Sequence, residues 1–228
     1  MAILIGDQRP RDESGAADAA EETRRRRDPE ATRKAILDAG EELFVRNGPI
    51  GTSLSQIAKK AGVTKSLIHH HFGSKEELWQ GVQRRHFRKY FELQKRMIQE
   101  SSSTAELLEE SIVAYFRFLQ QDPKSVRFFS WTLVEGEDGH CPMDEEKELF
   151  ELGIEKIREA QAAGEIRDDL EPFFIIKTLI SLPMAWFQTH EDTRALVDSE
   201  IDAAGLDEMY LRDMVEIFLG GVRPRPTS

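Results

Sequence analysis

The 228-residue chain has one cysteine, Cys141, so it can form no internal disulfide, and the usual framework of a small secreted domain is excluded. It has no apolar run long enough to span a membrane. The richest stretch, FFIIKTLISLPMAWF, is interrupted by Lys177 and Pro183. The opening MAILIG has no basic residue before its short apolar run and meets Asp7 at once, which is not the pattern of a signal peptide. Alternation of apolar and polar residues, the mark of a half-buried strand, is convincing nowhere. Together these absences predict an all-α protein of the cytoplasm, a reducing compartment.

Charge is plentiful but unevenly placed. Residues 1–23 carry 2 basic and 6 acidic side chains, residues 24–96 carry 17 and 8, and residues 97–228 carry 12 and 28, for a whole-chain net of −11. A basic segment beside an acidic body is the footprint of a chain whose one part meets a polyanion that the rest repels. The bland reading of such runs is a solvated helix face.

The first 27 residues lack apolar periodicity and read as a disordered tail. Its final RRRR, Arg24 to Arg27, is either a phosphate-binding arm or a solubilising run. Asp28-Pro29 then supplies an N-cap and a first-turn proline, and the helix they open is stopped by Asn47-Gly48. SLSQ (Ser53 to Gln56) is a capping box for a second helix ending at Ala61 and Gly62. Thr64 caps a third, KSLIHHHF, and SKEE (Ser74 to Glu77) opens a long fourth. Two short helices across a tight AGVT turn, preceded by a supporting helix, make a helix-turn-helix unit.

Three consecutive histidines lie in the third helix. At about 100° per residue, Ile68 and Phe72 define its buried side, Ser66, Leu67 and His70 the exposed side, and His69 and His71 the flanks. Adjacent residues on a helix diverge, so the three imidazoles do not converge on one ion, and no metal or cofactor is expected. Imidazoles suit phosphates and base edges, and the small Ser66 allows close approach.

The stretch TRKAILDAGEELFVRNGPIGTSLSQIAKKAGVTKSLIHHHFGSKEEL closely resembles the DNA-binding domain of TetR-family transcriptional regulators, in helix lengths and in its GVTK and HFGSKEEL elements. Where that family usually carries two aromatic residues before the His-Phe pair, this chain has His69 and His70. The resemblance implies that Thr64, Lys65, Ser66, Leu67 and His70 face the major groove and that His69 and His71 flank it. It also implies that Ser53, Ser55 and Lys75 sit near phosphates, a role that helix N-termini suit independently. The expected organisation is a tail over residues 1–27, a DNA-binding domain over 28–80, a helical ligand-binding and dimerisation domain over 81–222, and a short tail over 223–228.

The acidic remainder reads as helical throughout. STAE (Ser103 to Glu106) is a third capping box; Leu149, Leu152, Lys156, Ile157 and Ala160 mark a later helix closed by Gly164. Residues 169–188 are apolar nearly all round, which requires burial on more than one side. They form either a central core helix or a subunit interface with the last helix, whose Leu206, Tyr210, Met214 and Ile217 share a face. The resemblance favours the interface, a homodimer through about 170–190 and 205–220, and implies an effector pocket in the body. Candidate lining residues are Phe91, Tyr115, Phe116, Phe128, Trp131, Phe150, Trp186 and Phe187, for which ordinary core packing is the alternative. His140 and Cys141 in EGEDGHCPMD are too few for a metal site, carry no oxyanion motif, and read as an acidic surface loop. The function expected is that of a homodimeric repressor of operator DNA released by a small, largely apolar ligand, and not an enzyme. The alternatives are a protein-sensing or constitutive regulator, or a helical enzyme that retains a DNA-binding module.

Overall fold

The computed structural model describes residues 28–134, 144–196 and 202–225, and among them every regular element is an α-helix. These residues divide into two compact units, one ending at Val82 and the other beginning at Gln83. The expected arginine arm and the His140-Cys141 loop lie outside the described residues.

The first unit holds α1 (Pro29–Asn47), α2 (Leu54–Ala61), α3 (Lys65–Phe72) and the start of α4 (Lys75–Glu100). Each boundary has a local cause. The Asp28 carboxylate accepts from the amides of Glu30 and Ala31 at 3.0 and 3.1 Å, which satisfies two of the four orphan donors of α1. Gly62 ends α2 in the left-handed conformation with φ 66°, a region that costs a side-chain-bearing residue about 1–2 kcal/mol. The core joins Ile36 and Phe44 of α1, Ile57 of α2, Ile68 of α3 and Leu78 of α4, all buried, and Trp79 meets Phe44 edge to face at 5.1 Å.

The second unit contains the rest of α4, then α5 (Thr104–Gln121), α6 (Pro123–Val134), α7 (Asp144–Ala162), α8 (Pro172–Leu196) and α9 (Ala203–Val222). The apolar α8 is its hub and packs against α5, α6, α7 and α9, as an all-round apolar helix must. Buried Asp207 ties three helices together. Its Oδ1 accepts from Trp186 Nε1 of α8 and its Oδ2 from Gln120 Nε2 of α5, each at 2.9 Å. Beside it, Arg117 clasps the carboxylate of Glu208 through both guanidinium nitrogens, which raises the arginine pKa and lowers that of the glutamate.

Candidate nucleic-acid interface and internal cavity

In the first unit, the caps of α2 and α4 use atoms apart from the outward face of α3, whereas the cap of α3 itself shares the Thr64 hydroxyl with that face. Ser53 Oγ accepts from the Gln56 amide at 3.3 Å and donates to Gln56 Oε1 at 2.9 Å, while that oxygen also takes the Ser53 amide proton at 2.8 Å. The Ser53 hydroxyl is thus engaged in its own capping box. Thr64 Oγ1 accepts from the Leu67 amide at 3.3 Å and meets Ser66 Oγ at 3.0 Å, so these two hydroxyls hold each other at the start of α3. Ser74 and Glu77 close the box that opens α4, with bonds of 3.0 and 3.2 Å.

Lys75 is only half exposed, and its ammonium donates to the Pro49 carbonyl at 2.9 Å, which ties α4 to the turn after α1. An ammonium has three donors. A structural role therefore stands beside the phosphate contact expected of it.

Ile68 and Phe72 are the buried residues of α3, while Lys65, Ser66, His69 and His70 are exposed and Leu67 is half-buried. The three histidines separate as their spacing requires. His69 Nδ1 lies 2.7 Å from the Gly73 carbonyl, so that nitrogen carries the proton and Nε2 is directed elsewhere as an acceptor in the neutral ring. His70 points outward and touches His71 edge to face at 5.5 Å. His71 is half-buried; desolvation, then the neighbouring His70 and Arg33, lower its pKa. Arg33 lies over the Phe72 ring at 5.1 Å, which braces α1 against α3. Ser55 is exposed one residue into α2. Together these residues offer a proton-donating lysine, two outward imidazoles and paired hydroxyls on one short helix, a set able to bond phosphate oxygens and base edges.

The second unit holds a partly open cavity of about 70 Å³. Its walls are aliphatic: Leu107 and Leu108 from α5, Leu149 and Ile157 from α7, Ile176 and Leu179 from α8. Tyr90 and Gln94 of α4 and Thr104 and Ser111 of α5 supply polar groups, and Lys156 supplies the single charge among the described lining residues. Gly153 also lines it, where a Cβ would stand 3.0 Å from Ile176 Cδ1, so a larger residue there requires that side-chain tip to shift.

None of the eight aromatic residues expected to line a pocket borders this cavity. Phe91 instead lines a charged surface groove with Arg84, Arg88, Lys95 and Glu148. Tyr115, Phe116 and Phe128 are fully buried core residues, and Trp186 is buried by stacking on Tyr210 at 4.3 Å. Phe187 packs on Phe116 at 4.8 Å, Phe150 on Phe173 at 5.9 Å, and Trp131 is half-buried in α6. Apart from Phe91, the rings pack chiefly on one another, and the apolar cavity falls among branched aliphatic chains. The Tyr115 hydroxyl is buried and finds no hydrogen-bond partner among the described residues. Its pKa rises well above that of an ordinary tyrosine, chiefly by burial. The sequence does mark one cavity residue, because Lys156 interrupts the apolar stripe of α7.

The face of α9 expected to form an interface is largely internal. Leu206 and Met214 belong to the core, and Tyr210 is half-buried and donates to the Leu182 carbonyl at 3.0 Å; Ile217 alone of the four is exposed. The reason is that α9 must first cover α8 and α5 of its own chain. The outward apolar residues are Met209 and Ile217 of α9 and Phe173, Phe174 and the terminal Leu196 of α8.

Comparison with known proteins agrees with this architecture. The model of the tetR family of bacterial regulatory proteins matches residues 36–91, and that of tetracyclin repressor-like C-terminal domains matches residues 108–215. The transcriptional activator FasR of Mycolicibacterium smegmatis is 30% identical over 95 residues, 42% of this chain and 43% of FasR. The chain thus aligns with less than half of that relative. The transcriptional repressor SCO4008 of Streptomyces coelicolor is 26% identical over 160 residues, 68% of this chain and 78% of the repressor. Among solved structures, that of Streptomyces coelicolor SCO4942 superposes with a TM-score of 0.63 at 22% identity, covering 86% of this chain and 99% of the other. With both domain models matched, over more than half of its length, the chain belongs to the TetR family of bacterial regulatory proteins.

Proposed function

We propose that this DNA-binding transcriptional regulator acts as a homodimeric repressor, released from a near-palindromic operator by a small, largely apolar ligand held in the cavity of the second unit. The observation that carries the reading is α3. Its inward side is used up by Ile68 and Phe72, and its outward side leaves Lys65, Ser66 and His70 exposed.

A single short recognition helix makes few base contacts, and two related by a dimer axis read both halves of a near-palindromic site. Phe174 of α8 and Ile217 of α9, 66% and 73% exposed, supply apolar surface for a second copy. In this reading the interface uses those faces, and α4, continuous through Val82 and Gln83, carries the ligand's effect between the units.

The test is a paired titration. A ligand that releases operator DNA must bind the DNA-free protein more tightly than the DNA-bound protein, by the same factor by which it weakens operator binding. Operator affinity should also fall steeply with salt as counterions return to the phosphates. Equal ligand affinity with and without operator would remove the release mechanism, and operator binding indifferent to salt would remove the assigned DNA face.

A further inference from the structure

The cavity carries information about its occupant beyond being apolar. Its walls among the described residues are branched aliphatic side chains, without the flat phenyl or indole faces that favour planar aromatic ligands; Tyr90 is the only ring among them. Against that lining stands one full charge. Lys156 lies on α7, one residue from buried Ile157 and one helical turn beyond Gly153, with its side chain 25% exposed. Its carboxylate neighbour Glu159 is 3.9 Å away and 65% exposed, at the outer limit of an ion pair and wet enough to be worth little. The rest of the body is strongly acidic, so a lysine in the wall of an apolar cavity is locally exceptional.

We propose that the cavity binds an alkyl monocarboxylate, with the chain among Leu107, Leu149 and Ile176 and the carboxylate on the Lys156 ammonium. This deepens the effector reading and rests on it. An apolar ligand without an anionic head leaves the ammonium to water and gains nothing from it. A cationic head is repelled. A phosphate dianion asks for more donors than one ammonium presents, and the wall holds no guanidinium fork. A single carboxylate matches a single, weakly engaged ammonium, and the bond is charge-assisted. The half-wet position of Lys156 lets the head keep part of its hydration while the chain is removed from water. The volume, about 70 Å³, is roughly five water-sized spaces, which accepts a short alkyl segment.

The experiment uses the full-length protein and three eight-carbon probes of equal chain length: octanoate, octanol and octylamine. Calorimetric titration at neutral pH should find octanoate bound about ten- to hundredfold more tightly than either of the others, the range of one charge-assisted hydrogen bond. Lys156→Met should remove that preference and leave octanol unchanged, Lys156→Arg should restore most of it, and Lys147→Met, on the exposed side of the same helix, should alter nothing. Octanol binding as tightly as octanoate, octanoate binding undiminished in Lys156→Met, or binding of none of the three overturns the assignment. Operator titrations separate this from the broader reading. Octanoate bound through Lys156 with operator affinity unchanged keeps the assignment and removes the effector role. Release of operator by another ligand, equally in the parent and in Lys156→Met, keeps the effector role and removes the assignment.

Discussion

The two units place their candidate functions differently. In the first, the candidate groups are on the surface: α3 turns two apolar residues inward and leaves a lysine, a serine and two histidines outside. In the second, they are interior, and the cavity is formed by four helices that no short stretch of sequence brings together. A surface face is fixed by the period of one helix, whereas an interior space is what remains after many side chains have packed. The difference also governs tolerance. Substitution on the outer face of α3 is expected to alter recognition with little effect on folding, and substitution inside the body to act on folding first.

The largest effect that would test this contrast is expected from Asp207→Ala. The substitution strands Trp186 Nε1 in the core and releases Gln120, and it should cost about 2–4 kcal/mol in urea-induced unfolding, most of it from the unsatisfied buried donor and the lost bonds to a charged group. A loss below 1 kcal/mol would mean that the body does not depend on its interior polar node.

His70→Ala reverses the balance. Stability should remain within about 0.5 kcal/mol of the parent, as for other surface substitutions, while discrimination among single-base operator variants falls by about 1–3 kcal/mol at the position read. Competition binding across such variants measures both the ranking and its spread, and an unchanged spread would put His70 outside the base-reading face.

Lys75→Ala should act on both sides of the contrast. Loss of the Pro49 carbonyl bond lowers stability by about 1 kcal/mol, and affinity for all DNA sequences should fall together with a salt slope reduced by about one. If the stability changes and the slope does not, Lys75 serves the turn alone. Ser53→Ala belongs to the same class, with a cost of about 1 kcal/mol for the lost cap.

The smallest effect is the pH dependence from His71. Burial and the neighbouring cations hold its pKa in the folded chain below the ordinary value. The unfolded chain therefore takes up the proton first as pH falls, so this contribution to stability is present above the unfolded pKa, near 6.5, and declines as pH drops toward the folded one. His71→Gln should flatten that part of the stability profile between pH 7.5 and 5.5 relative to the parent, and identical profiles would show that His71 titrates freely.

Much of the first unit was legible in the sequence because its determinants are local. Asp28-Pro29, the Ser53 and Ser74 boxes, Gly62 and the inward pair Ile68 and Phe72 each act within one turn of chain, and each forms as its spacing predicts. The engagement of Lys75 with Pro49 was not legible, since 26 residues separate them. In the body, the helices follow from periodicity and the all-round apolar character of α8 signals its central place. Periodicity does not say which apolar faces meet: Leu206, Tyr210 and Met214 look alike whether they cover their own chain or a second copy. Nor does aromatic content locate empty space, because rings that stack on one another, as Trp186 and Tyr210 do, close the volume they surround. The sequence by itself determined the helices, their ends and the outward face of α3, all set by contacts within a few residues. Only the tertiary structure decided the position of the cavity, the aliphatic character of its wall and the isolation of Lys156 at its edge, because packing between distant helices selects which side chains fill space and which leave it open.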